Sequence, residues 1–249
     1  MCSAEWIQGL NRMDLIIVPS KHSKNVFTST VYTQKNDAGA VVGELKCTKP
    51  IEVVFEGVDT TIFRKVKEVS DELKFEMDQI KENFNFLYVG HWLQGELGQD
   101  RKDTGMLVKV FLETYKNQKN APGLIMKSSG ATFSIMDKYE LFKKIDSIKN
   151  SIENAKSLPS IYILHGDLTD EEMNQLYNHS KVKAHITLTK GEGFGRPLLE
   201  ATMSEKIVMA PKWSGHIDFL SENSVLFPGG LTTVHPSAVW ENEIGRAHV

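Results

Sequence analysis

The residues best suited to chemistry are two glutamates, Glu192 and Glu200, in the stretch GEGFGRPLLE at 191–200. Seven residues separate them, and this separating run begins with a glycine-rich turn. The preceding apolar run AHITLT (184–189) has the length and the β-branched content of a buried strand. Pro197 suits the first position of a helix, where its missing N–H costs nothing. The stretch is therefore predicted to fold as a strand, a turn and a helix.

This order of elements predicts an anion site next to the two glutamates. The free backbone N–H groups of a helix start point beyond the carboxyl end of the preceding strand, where a phosphate is favoured. Two carboxylates are electrostatically unfavourable beside an anion unless they bind hydroxyl groups. A carboxylate can accept two hydrogen bonds from a vicinal diol, such as that of a ribose or a hexose. We therefore expect Glu192 and Glu200 to bind sugar hydroxyls, the alternative being two solvated charges at a helix start.

The elements that position these glutamates alternate regularly from residue 84 onward. Besides AHITLT, the predicted strands are FNFLYVG (84–90), GLIMKSS (123–129), IYILHG (161–166), KIVMAP (206–211) and SVLF (224–227), with helices at 104–116, 136–155 and 169–180. Strands that alternate with helices of ten or more residues imply right-handed crossovers and a parallel sheet covered on both faces. The predicted fold class is α/β, a doubly wound, parallel, Rossmann-like sheet that binds ligands at the carboxyl ends of its strands.

The chain is predicted to contain the parts of two domains. Residues 1–60 hold too few strands for a sheet of their own and are interpreted as the tail end of a second Rossmann-like domain. Residues 61–83 are predicted to be a linker with a charged helix near 70–83, and residues 84–242 to be the main domain, truncated at its C-terminus. The last seven residues, EIGRAHV (243–249), can be back-translated to a common sequencing-adapter read-through, so we interpret them as an artefact.

The composition excludes several classes of function. With 41% hydrophobic and 24% charged residues and a formal net charge of -3, the chain is typical of a soluble protein without affinity for nucleic acid. Cys2 and Cys47 are far apart and lack a metal-ligand pattern, which argues against a disulfide scaffold or a zinc site and favours the reducing cytoplasm. No apolar run reaches the roughly 18 residues of a membrane helix, and peripheral membrane contact stays open.

The motifs resemble, in order, those of the retaining, nucleotide-sugar-dependent glycosyltransferases of the two-Rossmann-domain (type B) architecture, known as glycosyltransferase group 1. DLIIVPSKHSKNVF is similar to the last strand and helix of the acceptor domain, and VVFEGVDTTIF to the hinge element. FLYVGHW with RKDTGMLVKVF resembles the first strand, loop and helix of the donor domain. HGDLTDEEMNQLYNHSKV is similar to the segment beside the nucleobase, and GEGFGRPLLEATMSEKIVMAPKWSGHIDFL to the glutamate motif with its following loop. Together these segments cover nearly the whole chain.

The resemblance implies a role for each part of the glutamate motif. Glu192 would contact the donor sugar and assist catalysis, and Glu200 would bind the ribose hydroxyls. The backbone N–H groups of Gly193, Phe194 and Gly195 would lie against the sugar and the diphosphate. The expected contact of these N–H groups with the diphosphate agrees with the anion site predicted at the helix start.

The resemblance also implies a basic pair in the first loop of the donor domain, which would neutralise the leaving diphosphate without a metal. We expect Lys102 to carry this role, with Arg101 as the second candidate. Gly90 and His91, which stands in place of the usual arginine, are expected to bind the donor. The residues expected to flank the base are Ile163, Leu164 and Leu168.

The implied function is transfer of a sugar, of hexosyl type, from a nucleoside diphosphate sugar to a hydroxyl of a glycan, a lipid or another acceptor. No cofactor and no metal ion are expected. Two alternatives stay open: a sugar-nucleotide 2-epimerase of the same architecture, and a non-catalytic nucleotide-sugar-binding protein or truncated inactive product.

Overall fold

The computed structural model describes residues 2–92, 97–130, 132 and 134–233, together with the backbone of 246–248. Of the segment interpreted as an artefact, residues 243–245 and 249 lie outside the described part, and 246–248 pair with an earlier strand. The helices are α1 (Ala4–Leu10), α2 (Lys21–Ser29), α3 (Asp71–Asp78), α4 (Thr104–Tyr115), α5 (Ile135–Asn150), α6 (Asp170–Asn178) and α7 (Arg196–Met203).

The main sheet has six parallel strands in the order β10-β9-β8-β5-β6-β7. Its strands are β5 (Asn85–Val89), β6 (Gly123–Lys127), β7 (Ile161–Leu164), β8 (Val182–Ile186), β9 (Ile207–Pro211) and β10 (Val225–Phe227). Successive strands add first to one side of β5 and then to the other, which is the doubly wound order. The predicted fold class is confirmed.

Each face of this sheet has its own apolar core. On one face Leu87 of β5 and Ile125 of β6 pack with residues of α3, α6 and α7. On the other face their neighbours Tyr88 and Leu124 pack with residues of α4 and α5. Side chains alternate between the faces of a strand, so consecutive apolar residues fill both cores, as a parallel sheet covered by helices requires.

The segment predicted to be a linker, 61–83, contributes to the first of these cores. Phe63 and Met77 are completely buried there, together with Ile80 just after α3. The helix is shorter than the predicted 70–83 and ends at Asp78; Lys181 donates hydrogen bonds to the carbonyl of Met77 in its last turn (2.8 Å) and to that of Ile80 just after it (2.6 Å). The predicted helix 136–155 likewise ends early, at Asn150.

The first part of the chain forms a two-stranded parallel pair, β1 (Ile16–Val18) with β4 (Ile51–Val53), and an antiparallel hairpin, β2 (Val31–Lys35) with β3 (Val41–Lys46). The hairpin was not predicted, although its turn carries recognisable signals. Asn36 Oδ1 accepts hydrogen bonds from two backbone N–H groups of the turn, and Gly39 has φ of +78°. The last strands are β11 (Leu231–Thr233) and β12 (Arg246–His248). Within the described ranges no helix is long and apolar enough to cross a membrane.

Candidate functional site

The glutamate motif has the predicted order of strand, turn and helix. Strand β8 ends at Ile186, and α7 begins at Arg196 with Pro197 in its first turn. Gly195 caps the helix with φ of 97° and ψ of 50°, a left-handed conformation that glycine adopts readily. A Cβ atom at this position would also lie 3.1 Å from Cβ of His216. The turn therefore requires glycine at residue 195 for both conformation and space.

Glu192 lies against the two basic residues predicted to act with it. Its Oε1 accepts a hydrogen bond from Nζ of Lys102 at 2.6 Å and another from Oγ1 of Thr189 at 2.8 Å. Its Oε2 lies 3.2 Å from Nη1 of Arg101. The side chains of Glu192 and Lys102 are 10% and 13% exposed, whereas that of Arg101 is 51% exposed. The fold thus brings together a carboxylate and two cations that are about 90 residues apart in sequence.

The two cations decide the charge state of Glu192. Burial raises the pKa of its carboxyl group, but the charges of Lys102 and Arg101 and the hydrogen bonds from Lys102 and Thr189 act in the other direction. Together these charges and hydrogen bonds lower the pKa of Glu192 more than burial raises it, so the pKa lies below the ordinary value of 4.5. The carboxylate is therefore ionised at neutral pH.

The loop that carries Glu192 is held by its backbone. The N–H of Glu192 donates to Oγ of Ser214 at 2.9 Å, and the carbonyl of Glu192 accepts from the N–H of Gly215 at 2.9 Å. Gly215 allows this approach, since a Cβ atom there would lie 2.1 Å from the carbonyl oxygen of Gly193. Phe194 is buried and packs against Phe219, with 5.2 Å between the ring centroids. The backbone of 193–195, which is predicted to contact the ligand, is therefore held in a fixed turn directly before α7.

Glu200 lies near the middle of α7 and is only 7% exposed. Its Oε1 accepts a hydrogen bond from Nε of Arg196 at 2.7 Å, and its Oε2 accepts one from the hydroxyl of Tyr177 at 3.1 Å. Nη2 of Arg196 also lies 3.2 Å from Oδ2 of Asp170. Burial raises the pKa of Glu200, and the hydrogen bond from Tyr177 and the charge of Arg196 only partly offset it. The carboxylate is thus oriented by two donors before any ligand binds.

A pocket of about 290 Å³ opens at the carboxyl ends of β5 and β6. Five residues predicted to bind the donor or its diphosphate line this pocket: Gly90, His91, Lys102, Leu168 and Glu200. Nδ1 of His91 lies 2.9 Å from Oγ of Ser129, another residue of the pocket wall. Glu192 and Arg101 are not part of the pocket wall; Glu192 contacts the wall through its ion pair with Lys102, and Arg101 contacts Glu192.

Ile163 and Leu164 were expected beside the base, but they are not part of the pocket wall. Both belong to β7, where their side chains point to opposite faces of the sheet and pack against the two cores. Leu168 reaches the pocket because it follows the end of β7, in the loop before α6. The difference between these three positions follows from strand geometry: residues beyond a strand's end face the pocket, and residues within the strand face the helices.

Sequence reasoning missed the other nine residues of the pocket wall. The missed residues are Val89, Lys127, Ser128, Ser129, Asp167, Asp170, Met173, Arg196 and Pro197. One signal could have found four of them, since Lys127, Ser128, Ser129 and Asp167 lie at the carboxyl ends of predicted strands. No cluster of three or more His, Cys, Asp or Glu side chains among the described residues could hold a metal ion.

No family model matches the chain, and the comparison with curated proteins finds no match. Solved structures share its fold at low identity. HepE of Anabaena, in complex with UDP-glucose, aligns with a TM-score of 0.58 and 19% identity over 89% of this chain and 52% of HepE. Sucrose-phosphate synthase of Thermosynechococcus elongatus aligns with a TM-score of 0.61 and 14% identity over 90% of this chain and 47% of the synthase.

A third structure, described as trehalose-6-phosphate from E. coli bound with UDP-2-fluoro glucose, aligns with a TM-score of 0.57 and 10% identity over 86% of this chain and 49% of the other. The chain spans about half the length of these three structures. The likeness shows that it has the Rossmann-like fold of the C-terminal domain of type B glycosyltransferases.

Proposed function

We propose that this chain binds a nucleoside diphosphate sugar and is the donor-binding part of an enzyme that transfers the sugar to a hydroxyl acceptor. The observation that carries the proposal is the contact of Glu192 with Lys102 and Arg101 at the edge of a pocket that also contains Glu200. Two structures of similar fold are described as complexes with UDP-glucose and UDP-2-fluoro glucose, which supports the same class of ligand here.

The two cations would stabilise the leaving diphosphate. When the bond between the anomeric carbon and the phosphate oxygen breaks, negative charge develops on the diphosphate, and fixed positive charges lower the energy of that state. Lys102 is in the pocket wall, and Arg101 precedes it in the chain. In the free protein both neutralise Glu192. A bound diphosphate would draw the cations toward its oxygens and free the carboxylate of Glu192 for a hydroxyl group of the sugar.

Glu200 would bind the ribose. Each carboxylate oxygen can accept two hydrogen bonds. Arg196 and Tyr177 each use one of these positions, which fixes the plane of the carboxylate. The other positions are suited to a vicinal diol, and the pocket lies beside them. The arrangement favours a ribose over a deoxyribose, because loss of one hydroxyl would leave a buried acceptor without its partner.

Calorimetric titration of the 249-residue chain with UDP, GDP, ADP and their glucose or mannose derivatives tests the proposal. We expect saturable binding of one nucleotide series, weakened in Glu200→Ala by about 1 to 3 kcal/mol, as for a lost hydrogen bond to a charged group. Glu171→Gln, an exposed residue of α6 outside the pocket wall, is the matched control and should bind like the original chain. Absence of binding to a folded chain, or equal binding by Glu200→Ala, would contradict the proposal.

A further inference from the structure

The hydroxyl group of Ser128 is the first observation that points to a specific ligand group. Ser128 directly follows β6, lines the pocket and is only 3% exposed. Its Oγ has no hydrogen-bond partner within the part of the chain that the structure describes. Because a buried polar group without a partner is costly, this hydroxyl is expected to bond to whatever fills the pocket.

A cation and a carboxylate lie beside Ser128 in the same wall. Lys127 is the last residue of β6, and its Nζ donates a hydrogen bond to the carbonyl of Gly166 in the loop after β7. Asp167 is the next residue of that loop and also lines the pocket. Burial lowers the pKa of Lys127, and the charge of Asp167 partly opposes this effect, so the two charges interact. The wall at this end of the pocket therefore contains a donor, Lys127, and an acceptor, Asp167, whose carboxylate also accepts from the N–H of Leu168.

The order of the strands determines which part of the ligand reaches this end. Strands β8, β5, β6 and β7 are neighbours in that order. Lys102 follows β5 and Glu200 lies in the helix after β8, whereas Lys127 ends β6, Ser128 follows it, and Asp167 follows β7. If the diphosphate contacts Lys102 and the ribose contacts Glu200, as the proposed function has it, the base is the part left to face β6 and β7.

Guanine is the base that suits this arrangement of charges. Its N1–H and N2–H₂ groups stand side by side next to the acceptor O6, so one carboxylate can accept two hydrogen bonds while a lysine donates to O6. Uracil places its N3–H between two carbonyl oxygens, which would repel a carboxylate. Adenine and cytosine offer a carboxylate only an exocyclic amine.

We propose that this end of the pocket selects guanine: Asp167 accepts from N1–H and N2–H₂, Lys127 donates to O6, and the hydroxyl of Ser128 donates to N7. The inference rests on the proposed function. It adds to that function the identity of the base and three residues that determine it. The natural donor is accordingly a guanosine diphosphate sugar.

Competitive titration of the intact chain with GDP, inosine diphosphate, UDP and ADP tests the identity of the base. We expect GDP to bind at least about tenfold more tightly than UDP or ADP, and inosine diphosphate, which lacks the N2 amine, to lose about tenfold relative to GDP, the cost of one hydrogen bond to a charged group. Asp167→Asn should weaken GDP by about tenfold or more and favour xanthosine diphosphate, whose O2 can accept from the new amide. Glu171→Gln is the matched control for the loss of one negative charge.

Ser128→Ala provides a second variant whose two effects have opposite signs. It removes a buried hydroxyl that has no described partner in the free chain, so thermal unfolding should occur at the same temperature or a higher one. The same variant should bind GDP about fivefold to tenfold more weakly, since the hydrogen bond to N7 is lost. A lower unfolding temperature of Ser128→Ala, or an unchanged affinity for GDP, would contradict the role of Ser128.

The outcomes separate this inference from the proposed function. Preferential binding of UDP, with nucleotide ratios unchanged in Asp167→Asn, would overturn the selection of guanine and leave nucleotide-sugar binding standing. No binding of any nucleotide by a folded chain would overturn both. A preference for GDP that is lost in Asp167→Asn supports both.

Discussion

Glu192 shows how a buried carboxylate is stabilised by unequal partners. Lys102 is almost as buried as Glu192, while Arg101 is half exposed and screened by solvent. Most of the stabilisation should therefore come from Lys102. Removal of one member of a buried pair leaves the other charge uncompensated, which costs more than the pair itself contributes. At the residue scale, stability and the proposed binding of a diphosphate therefore involve the same cation.

Lys102→Met tests this dependence. We expect the free energy of unfolding at pH 7 to fall by about 2 to 4 kcal/mol, because Glu192 keeps only its exposed partner. The deficit should shrink as the pH falls, because Glu192 without Lys102 takes up a proton at a higher pH than Glu192 in the original chain, whose pKa Lys102 lowers. Urea unfolding monitored by circular dichroism gives both values. Arg101→Met is the matched control and should cost less than about 1 kcal/mol; equal losses in the two variants would disprove the assigned asymmetry.

The stability of the chain is expected to depend on pH in an unusual way through Asp103. Burial raises the pKa of its carboxyl group to about 6 from 3.8, against the opposing charge of Lys190, while Asp100 nearby adds to the increase. The folded chain then binds more protons than the unfolded chain between these two values, so this group's contribution to stability falls as pH rises from about 4 to 6. Above pH 6 the loss of unfolding free energy caused by Asp103 is constant, at about 3 kcal/mol for a shift of two pKa units.

The variant Asp103→Asn removes this titration and tolerates the left-handed backbone at residue 103, where φ is 51°. We expect the difference in unfolding free energy between variant and original to grow in favour of the variant from pH 4 to pH 6 and then to level off. Urea unfolding at several pH values measures it. A difference independent of pH would show that Asp103 titrates normally.

At the element scale, the end of α7 carries avoidable strain. The helix is followed by Ser204 and then by Glu205, whose φ is 58° although it has a side chain. Helices commonly end with glycine in this left-handed conformation, since a Cβ atom is unfavourable there. The nearest opposite charge, Lys65, lies 3.7 Å from the Glu205 carboxylate, and both side chains are well exposed. The ion pair therefore offsets little of the strain.

Glu205→Gly should stabilise the chain by about 0.5 to 1 kcal/mol through relief of this backbone strain. Glu205→Ala removes the same ion pair but keeps the Cβ atom, so it should show no such gain. Thermal unfolding of both variants in parallel makes the comparison. If Glu205→Ala and Glu205→Gly stabilise the chain equally, the gain comes from loss of the glutamate charge and not from relief of backbone strain.

At the scale of the whole molecule, the first part of the chain supports the glutamate loop. Oγ of Ser20 donates to the carbonyl of Gly193 at 2.6 Å, and the N–H of Lys21 donates to Oδ2 of Asp218 at 2.7 Å. The ring of Phe55 lies 4.9 Å from that of Phe194, measured between centroids. These contacts join residues more than 130 positions apart and restrict the turn that precedes α7.

Ser20→Ala should therefore affect both stability and ligand binding. Ser20 is fully buried, and its Oγ also accepts the hydrogen bond from the N–H of Ser23 that caps α2. We expect a loss of about 1 to 2 kcal/mol in unfolding free energy, as for a helix cap, and weaker nucleotide-sugar binding because the turn is less fixed. The matched control is Thr28→Ala in the same helix, whose exposed hydroxyl bonds only to carbonyls of that helix. Nucleotide binding unchanged in Ser20→Ala would contradict the coupling.

Local patterns in the sequence determined the elements of this fold and their order. Apolar runs of strand length alternate with amphipathic helices, and Pro197 and the glycines mark the start of α7. These signals depend on neighbouring residues, which is why they could be found without a structure. The hairpin β2–β3 was the exception, because its strands are mostly exposed and carry no continuous apolar run that would mark them in the sequence.

Contacts between distant residues were decided only by the tertiary structure. The sequence named Glu192, Lys102 and Arg101 separately, but their mutual pairing depends on strands β5 and β8 being neighbours. The hydrogen bond from the hydroxyl of Tyr177 to Glu200 and the support of Gly193 by Ser20 had no local signal in the sequence. Strand order and side-chain direction determine which of the many polar residues meet, and neither property is encoded within a short stretch of chain.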